Sequence, residues 1–315
     1  MRLAMACAGR RGLRVLRHVR ELVPQAQLTV FSFREEPHEP PFLEDIRAEA
    51  LDHGHRFVET RKVDGPRAVS IWDDPAGIDL MLVVGWRYMI RRDVYVRPRR
   101  GTFVFHDSLL PLYRGFSPTV WAIQHGESQT GATLFAIADD VDSGPIVGNH
   151  AVPILATDTI AQVASRVTEA YLELLNRHLH ELFGGTATLT PQDHSKATYA
   201  PRRTRDDDRL HWTQSAQQMC NVVRAVTSPY RGAFCHWRGR PLRVWSARTH
   251  EELVSGPAGR VVRLIPGEGA VVAAGQGTLL LQHVQSADDA PRTADDLLAP
   301  GDVLQTAQTH DGVNV

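Results

Sequence analysis

The sequence predicts an α/β protein: a Rossmann-like, mainly parallel sheet domain followed by a small β-barrel. Three observations predict it. Short β-type runs alternate with helical ones through the first half, the pattern of βαβ units. Two of those runs, Ile78–Val84 and Thr102–Phe105, are almost continuously apolar, as strands covered on both faces are. Beyond a polar, Pro-containing stretch the alternation gives way to short strands broken by Arg-Gly, Pro-Gly and Gly-Gln-Gly turns, which suits a small barrel.

Taken in order, Leu3–Ala8 reads as a first buried strand. It is too short for a signal-peptide core, and Arg10, Arg11 and Arg14 follow at once. Gly12–Leu22 reads as a helix with Leu13, Leu16, Val19 and Leu22 on one face. Leu28–Phe33 is the next strand, and Phe42–His53 a helix closed by Gly54. A long helix follows the central strands. Thr157 or Asp158 can cap it, and Ile160, Val163, Val167, Tyr171, Leu174, Leu175, Leu179 and Leu182 recur at helical spacing until Gly184-Gly185 stops it. These runs give a catalytic-type domain over 1–190, a linker over 184–205 and a second domain over 206–315. The second domain opens on a helix, Ala216–Val226, and continues through strands at Leu242–Ala247, Gly259–Ile265, Ala270–Ala274 and Thr278–Val284. Gly9-Arg10-Arg11-Gly12 follows a strand but is not G-x-G-x-x-G, so the sheet carries no signal for a dinucleotide site.

Composition narrows the function. Charged residues are 23% of the 315 and the net charge is −1, which argues against disorder. From Pro201 onward 13 arginines face 12 acidic residues, so the second domain lacks the basic excess that tracks a phosphate backbone, and nucleic acid is disfavoured as a partner. Three cysteines, Cys7, Cys220 and Cys235, are odd in number and form no Cys-x-x-Cys pair. That points to a reducing cytoplasm and away from disulfides or a metal site. No apolar run reaches the roughly 18 residues of a membrane span.

Two titratable residues stand at breaks in apolar runs. His106 ends a central strand, and ligands of parallel sheets lie beyond strand C-termini. Asp142 sits in an Asp-Ser-Gly turn before the apolar Pro145–Val147. Should both loops share one sheet edge, a carboxylate meets an imidazole there and supports it as a charged donor. Such a pair suits acyl transfer, in which an oxygen gains negative charge and the attacking amine sheds a proton. Spacing alone leaves open a plain strand-end histidine and a plain turn aspartate.

Longer motifs narrow the choice. Val84 to Ile90, His106 to Gly115 (His-Asp-Ser-Leu-Leu-Pro-Leu-Tyr-Arg-Gly), Ser117 to Ile123, Thr130 to Leu134 and Asp142 to Val147 occur in an order and spacing that resemble the folate-dependent formyltransferases. Tyr199 to Thr204, Leu210 to Trp212 and Arg224 to Phe234 are similar to the second domain of the same enzymes. The resemblance is to the methionyl-tRNA formyltransferase-like family, and within it closest to the branch that formylates amines of nucleotide-linked sugars.

That resemblance implies an OB-like form for the small β-barrel, 10-formyltetrahydrofolate as formyl donor and an enzyme of one-carbon transfer. It implies His106 and Asp142 as catalytic residues, and a donor site along Trp86, Arg87, Tyr88, Met89 and Ile90 and along Ala138, Asp139, Asp140 and Val141. The acceptor it implies is the amine of a small molecule, an amino-sugar nucleotide or a natural-product amine; oligomeric state is left open, a homodimer included. One departure matters. The family's catalytic Asn falls on Val104, which offers no hydrogen bond, and Asn149 stands where the family often has Gln. The alternative is therefore a member without catalysis, a folate-binding or partner protein, or one with a different one-carbon or acyl transfer.

Overall fold

The computed structural model describes residues 1–306 apart from 38, 253, 255, 287 and 288. Its chain forms two units. One comprises 1–118, 129–153 and 164–201; the other comprises 119–128, 154–163 and 202 onward.

The first unit is built on a seven-stranded sheet. Its elements are β1 (Arg2–Cys7), α1 (Gly9–Leu22), β2 (Gln27–Ser32), α2 (Leu43–Leu51), β3 (Arg56–Glu59), α3 (Pro66–Trp72), β4 (Leu80–Val84), α4 (Arg92–Tyr95), β5 (Thr102–His106) and a two-residue β6 (Arg114–Gly115). After α5 (Pro118–His125), which beyond Pro118 belongs to the second unit, come β7 (Gln129–Ala136), β8 (Ile146–Pro153), the long α6 (Ile160–Gly184), whose first turn also belongs to the second unit, and β9 (Tyr199–Ala200). Strand order is β3-β2-β1-β4-β5-β7-β8, with the first five parallel and β7 and β8 added antiparallel. The order reverses direction beside β1, as in doubly wound sheets. Leu3 to Cys7 and Leu80 to Val84 are almost fully buried, which is why these strands read as apolar runs without alternation.

Two local details differ from the sequence reading. Thr159, not Thr157 or Asp158, starts α6: its backbone N–H and hydroxyl both donate to Gln162 Oε1, while Asp158 accepts from Leu155 N instead. The stretch expected as plain linker contains β9, which pairs in parallel with β6 through Arg114–Tyr199 and Gly115–Ala200.

The second unit carries α7 (Ala216–Val226), then β10 (Ala233–Trp237), β11 (Arg240–His250), β12 (Val261–Ile265), β13 (Gly269–Ala273), β14 (Thr278–Ser286), β15 (Arg292–Thr293) and β16 (Leu304–Gln305). A capping box opens α7, with Ser215 and Gln218 bonded reciprocally. All strand pairs are antiparallel, in the order β12-β13-β14-β11-β10-β16 with β15 on β14. A bulge at Ser246 bends β11. The two ends of the path meet through an Arg260–Val303 bridge and a 2.8 Å bond from Leu304 N to Gly259 O, which curls the sheet into a barrel. Cys7, Cys220 and Cys235 are all free and buried, and burial pushes each thiol up to about 12.

Candidate active site

His106 is the last residue of β5 and is 7% exposed. Its ring is fixed from the loop that follows. Nε2 lies 2.8 Å from the Tyr113 carbonyl, an acceptor only, so Nε2 carries the hydrogen. Nδ1 faces Asp142 Oδ2 at 3.5 Å, within ion-pair reach and beyond a direct hydrogen bond. Catalytic hydrogen bonds are often long before substrate arrives. The same Asp142 oxygen accepts from Gly115 N at 2.8 Å. The fold thus brings His106 and Asp142 together at one edge of the sheet, although 36 residues separate them.

The local backbone is unusual. Tyr113, Ser117 and Asp142 all have positive φ, at 57°, 49° and 50°, a conformation that costs a non-Gly residue about 1–3 kcal/mol. Two glycines make the close approach feasible. A Cβ on Gly115 would lie 2.5 Å from Ala200 O, and one on Gly144 would lie 1.8 Å from Ala136 O. The Asp-Ser-Gly and Arg-Gly motifs are therefore demanded by backbone packing around the carboxylate.

His106's chain neighbours point elsewhere, as strand alternation requires. Asp107 accepts from Arg11 and from the Tyr171 hydroxyl, and Ser108 Oγ donates to Leu112 O at 2.5 Å. Burial raises the Asp107 carboxyl; the Arg11 guanidinium and the Tyr171 hydroxyl outweigh it and hold the group below its ordinary value. Phe105 stacks on the Tyr171 ring at 4.5 Å. Val104 pairs with Val83 and Phe135 and packs against the apolar cluster that holds Trp72, Val94 and Tyr95. Asn149 lies in the same row as His106, one strand beyond Thr133, and is exposed.

The two loops expected to hold the donor lie in this unit. Trp86, Tyr88 and Phe33 form an edge-to-face aromatic trio with centroids 5.0–5.9 Å apart. Arg87 lies over Phe33 and pairs with Glu39 at 2.9 Å. Ile90 is buried in the core, whereas Met89 is 73% exposed. In the second loop Ala138 is half-buried, the Asp140 carbonyl accepts from Ser143 Oγ, and Val141 is exposed. Asp139 accepts from Tyr95 and Arg92 of α4, the helix that directly follows Trp86–Ile90, so the two loops are tied to each other. The Tyr95 hydrogen bond, then Arg92, hold the Asp139 carboxyl below its usual range. Arg92 and Tyr95 were not singled out from sequence; an Arg and a Tyr three residues apart on a short helix carry no motif. Arg114 lies within the His106–Gly115 motif, but Gln192 was missed: both are at most 6% exposed, and Gln192 donates to the carbonyls of Asp142 and Gly144.

Comparison with known proteins gives the family. Residues 33–179 match the formyl transferase family and residues 203–300 the formyl transferase C-terminal domain. A methionyl-tRNA formyltransferase of Sorangium cellulosum (strain So ce56) is 33% identical over 262 residues, covering 82% of this chain and 83% of its own. The chain belongs to the formyltransferase family. Among solved structures, the formyltransferase fold recurs in an N-formyltransferase from Helicobacter canadensis in complex with folinic acid and dTDP-3-aminofucose. That protein is 14% identical with a TM-score of 0.68, covering 90% of this chain and 99% of its own. It recurs also in HypX from Aquifex aeolicus in complex with tetrahydrofolic acid, at 19% identity and a TM-score of 0.62. There the match covers 94% of this chain but 46% of HypX, so the chain spans about half the length of that protein. As a formyltransferase the chain is a folate-dependent, formyl-transferring enzyme. Among the described residues no helix is long and apolar enough to cross a membrane.

Proposed function

We propose that this formyltransferase moves a formyl group from 10-formyltetrahydrofolate to the amine of a small molecule, an amino-sugar nucleotide or a natural-product amine. The observation that carries the reading is the His106–Asp142 pair, braced by Tyr113 O and Gly115 N at one sheet edge. The donor supplies an activated formyl group when bound. The residues proposed to hold it fit a flat, partly apolar ring: an aromatic trio, the exposed side chains of Met89 and Val141, and a buried Trp86 Nε1 without a hydrogen-bond partner. For His106 to donate to the oxygen on which charge develops, its Nε2–H turns from the Tyr113 carbonyl to the substrate, while Asp142 faces Nδ1 and holds the ring. All three cysteines are buried with raised thiol values, which fits direct attack by the amine without a thioester on the enzyme.

Support for a small acceptor comes from the second unit, where about half of the 13 arginines sit in ion pairs. Arg203 and Arg205 pair with Asp208, Arg209 with Asp206, Arg238 with Asp302, Arg248 with Glu268 and Arg263 with Glu252. Cations so paired contribute little to a phosphate-tracking surface. A second acceptor, methionyl-tRNA, is favoured by the 33% identity to the Sorangium enzyme. Assaying tetrahydrofolate release with a panel of amino-sugar nucleotides and with methionyl-tRNA decides between them. Turnover with the RNA alone sinks the small-amine reading. Folate binding without turnover on any amine supports a member without catalysis, the reading that Val104 motivates.

A further inference from the structure

We infer that Gln192 is a positioning residue for Asp142, anchored in turn by Arg114. Gln192 is 6% exposed and stands 50 residues from Asp142. Its Nε2 donates to Asp142 O at 2.9 Å and to Gly144 O at 2.7 Å. Its Oε1 accepts from Arg114 Nε at 3.2 Å and Nη2 at 2.7 Å. Both donor hydrogens and both acceptor sites of the amide are therefore used. A flipped amide would set N–H against guanidinium N–H and oxygen against two carbonyls, so the partners dictate the orientation.

The placement of the contacts gives Gln192 its role. Asp142 holds a left-handed backbone conformation with φ of 50°, and the two bonded carbonyls bracket the turn from Asp142 to Gly144. They leave the carboxylate one direction, toward Gly115 N and His106. Arg114 completes the clamp from the other side. The residue before it gives the carbonyl that fixes His106 Nε2, and the residue after it gives the N–H that fixes Asp142. Its guanidinium is 3% exposed and meets only neutral partners, Gln192 and His194 Nδ1 at 3.0 Å. Among the described residues no carboxylate pairs with it. A buried cation without a carboxylate is a poor device for stability alone. As the rigid link between the His106 contact and the Asp142 contact, it has a use.

The inference rests on the proposed formyl transfer, and one arm of its test does not. Gln192→Glu keeps the acceptor toward Arg114 and removes both donors to the Asp142–Gly144 turn. The expected result is a fall in kcat of about tenfold to 100-fold, the scale of a small misplacement of catalytic groups, with KM for donor and amine unchanged and the protein folded at the assay temperature. The ¹⁵N resonances of the His106 ring should shift in the same variant. Gln192→Asn, one methylene shorter, should lower kcat in the same way and guards against misfolding of the first variant. An unchanged kcat in folded Q192E overturns the inference. So does a loss that tracks the melting temperature, or failure of both variants to fold, which would assign Gln192 to stability. Should the wild-type protein transfer no formyl group to any amine, the proposed function fails by itself. The His106 ring signals then decide the positioning role: signals identical in wild type and Q192E overturn it.

Discussion

His106 is clamped at one ring nitrogen and left facing a carboxylate at the other: Nε2 lies 2.8 Å from Tyr113 O, and Nδ1 lies 3.5 Å from Asp142 Oδ2. This asymmetry fixes the plane of the ring while leaving the Asp142 side open to tighten. Removing the charge without the shape tests the pair. Asp142→Asn still accepts from Gly115 N through its amide oxygen, so stability should hold, while formyl transfer should fall by about 10²–10⁴. His106→Ala should fall similarly, and the double variant should be no worse than the worse single one, because the two act as a unit. Initial rates and melting curves of the three proteins check this; additive losses would mean independent roles.

Gly144 tests how much the turn tolerates. A Cβ there would sit 1.8 Å from the Ala136 carbonyl oxygen, so Gly144→Ala forces the Asp142 loop or β7 to move. Overpacking of this kind costs about 1–3 kcal/mol, and the displaced turn should lose catalysis as well. Gly239→Ala is the control. Its φ is 73° but nothing lies within 4 Å of the added carbon, so only backbone strain of about 1–2 kcal/mol remains and activity should persist. Urea denaturation and turnover measured on both variants separate a local clash from general strain.

The parallel sheet was legible because its strands are buried on both faces and read as apolar runs, as in Leu80–Val84. The antiparallel β7 and β8 were less so: in β8, Ile146, Val147 and Gly148 are all half-buried and follow one another without alternation. His106 and Asp142 were visible as breaks in apolar runs. Arg114 was visible as part of the His106–Gly115 motif; Gln192, Arg92 and Tyr95 were not, because their roles come from tertiary contacts across 44 to 78 residues between segments that carry no periodicity.

Asp107, next to His106, is a stability determinant on the far side of the strand. It binds Arg11 and Tyr171, and Arg11 also reaches Thr168 Oγ1 at 3.1 Å and lies over the Tyr171 ring. Replacing one member of such a pair leaves the other charge uncompensated, so Arg11→Met should destabilise by about 3 kcal/mol. The pH sign follows from the depressed carboxyl. Its folded value lies below the unfolded one near 3.9, so the contribution is complete above about pH 5 and is lost as pH falls through the folded value. Chemical denaturation between pH 3 and 7 should show a loss at acid pH in the wild type that is smaller in Asp107→Asn.

Asp139 joins the two loops proposed to hold the donor, through Tyr95 and Arg92. Tyr95→Phe removes a hydrogen bond to a carboxylate and frees the 138–141 loop from α4. The expected outcome is a rise in KM for 10-formyltetrahydrofolate of about tenfold, as loss of a hydrogen bond to a charged group allows, with KM for the amine unchanged. Isothermal titration with a non-reactive folate analogue provides the binding readout. A change confined to the amine would move these loops out of the donor site.

Val104 poses the remaining question. It stands two residues before His106 on β5, so the two side chains share a strand face, and it packs against the same apolar cluster as Trp86. The family resemblance puts an Asn at this position. Trp86 Nε1 is buried there without a hydrogen-bond partner. An amide introduced by Val104→Asn puts an N–H donor back at the family's Asn position, with the proposed oxyanion as its partner. Losing one such donor costs on the order of 10²–10³ in rate, so restoring it should raise formyl transfer at least tenfold. Without that partner, the buried amide costs about 1–3 kcal/mol instead. Rate and melting temperature of the variant must be read together. A faster enzyme of equal stability places Val104 in the oxyanion pocket of a slow formyltransferase. Lost activity at unchanged stability would mean that the pocket is shaped around valine for another reaction, and the proposed acceptor chemistry would fall while the family assignment stood.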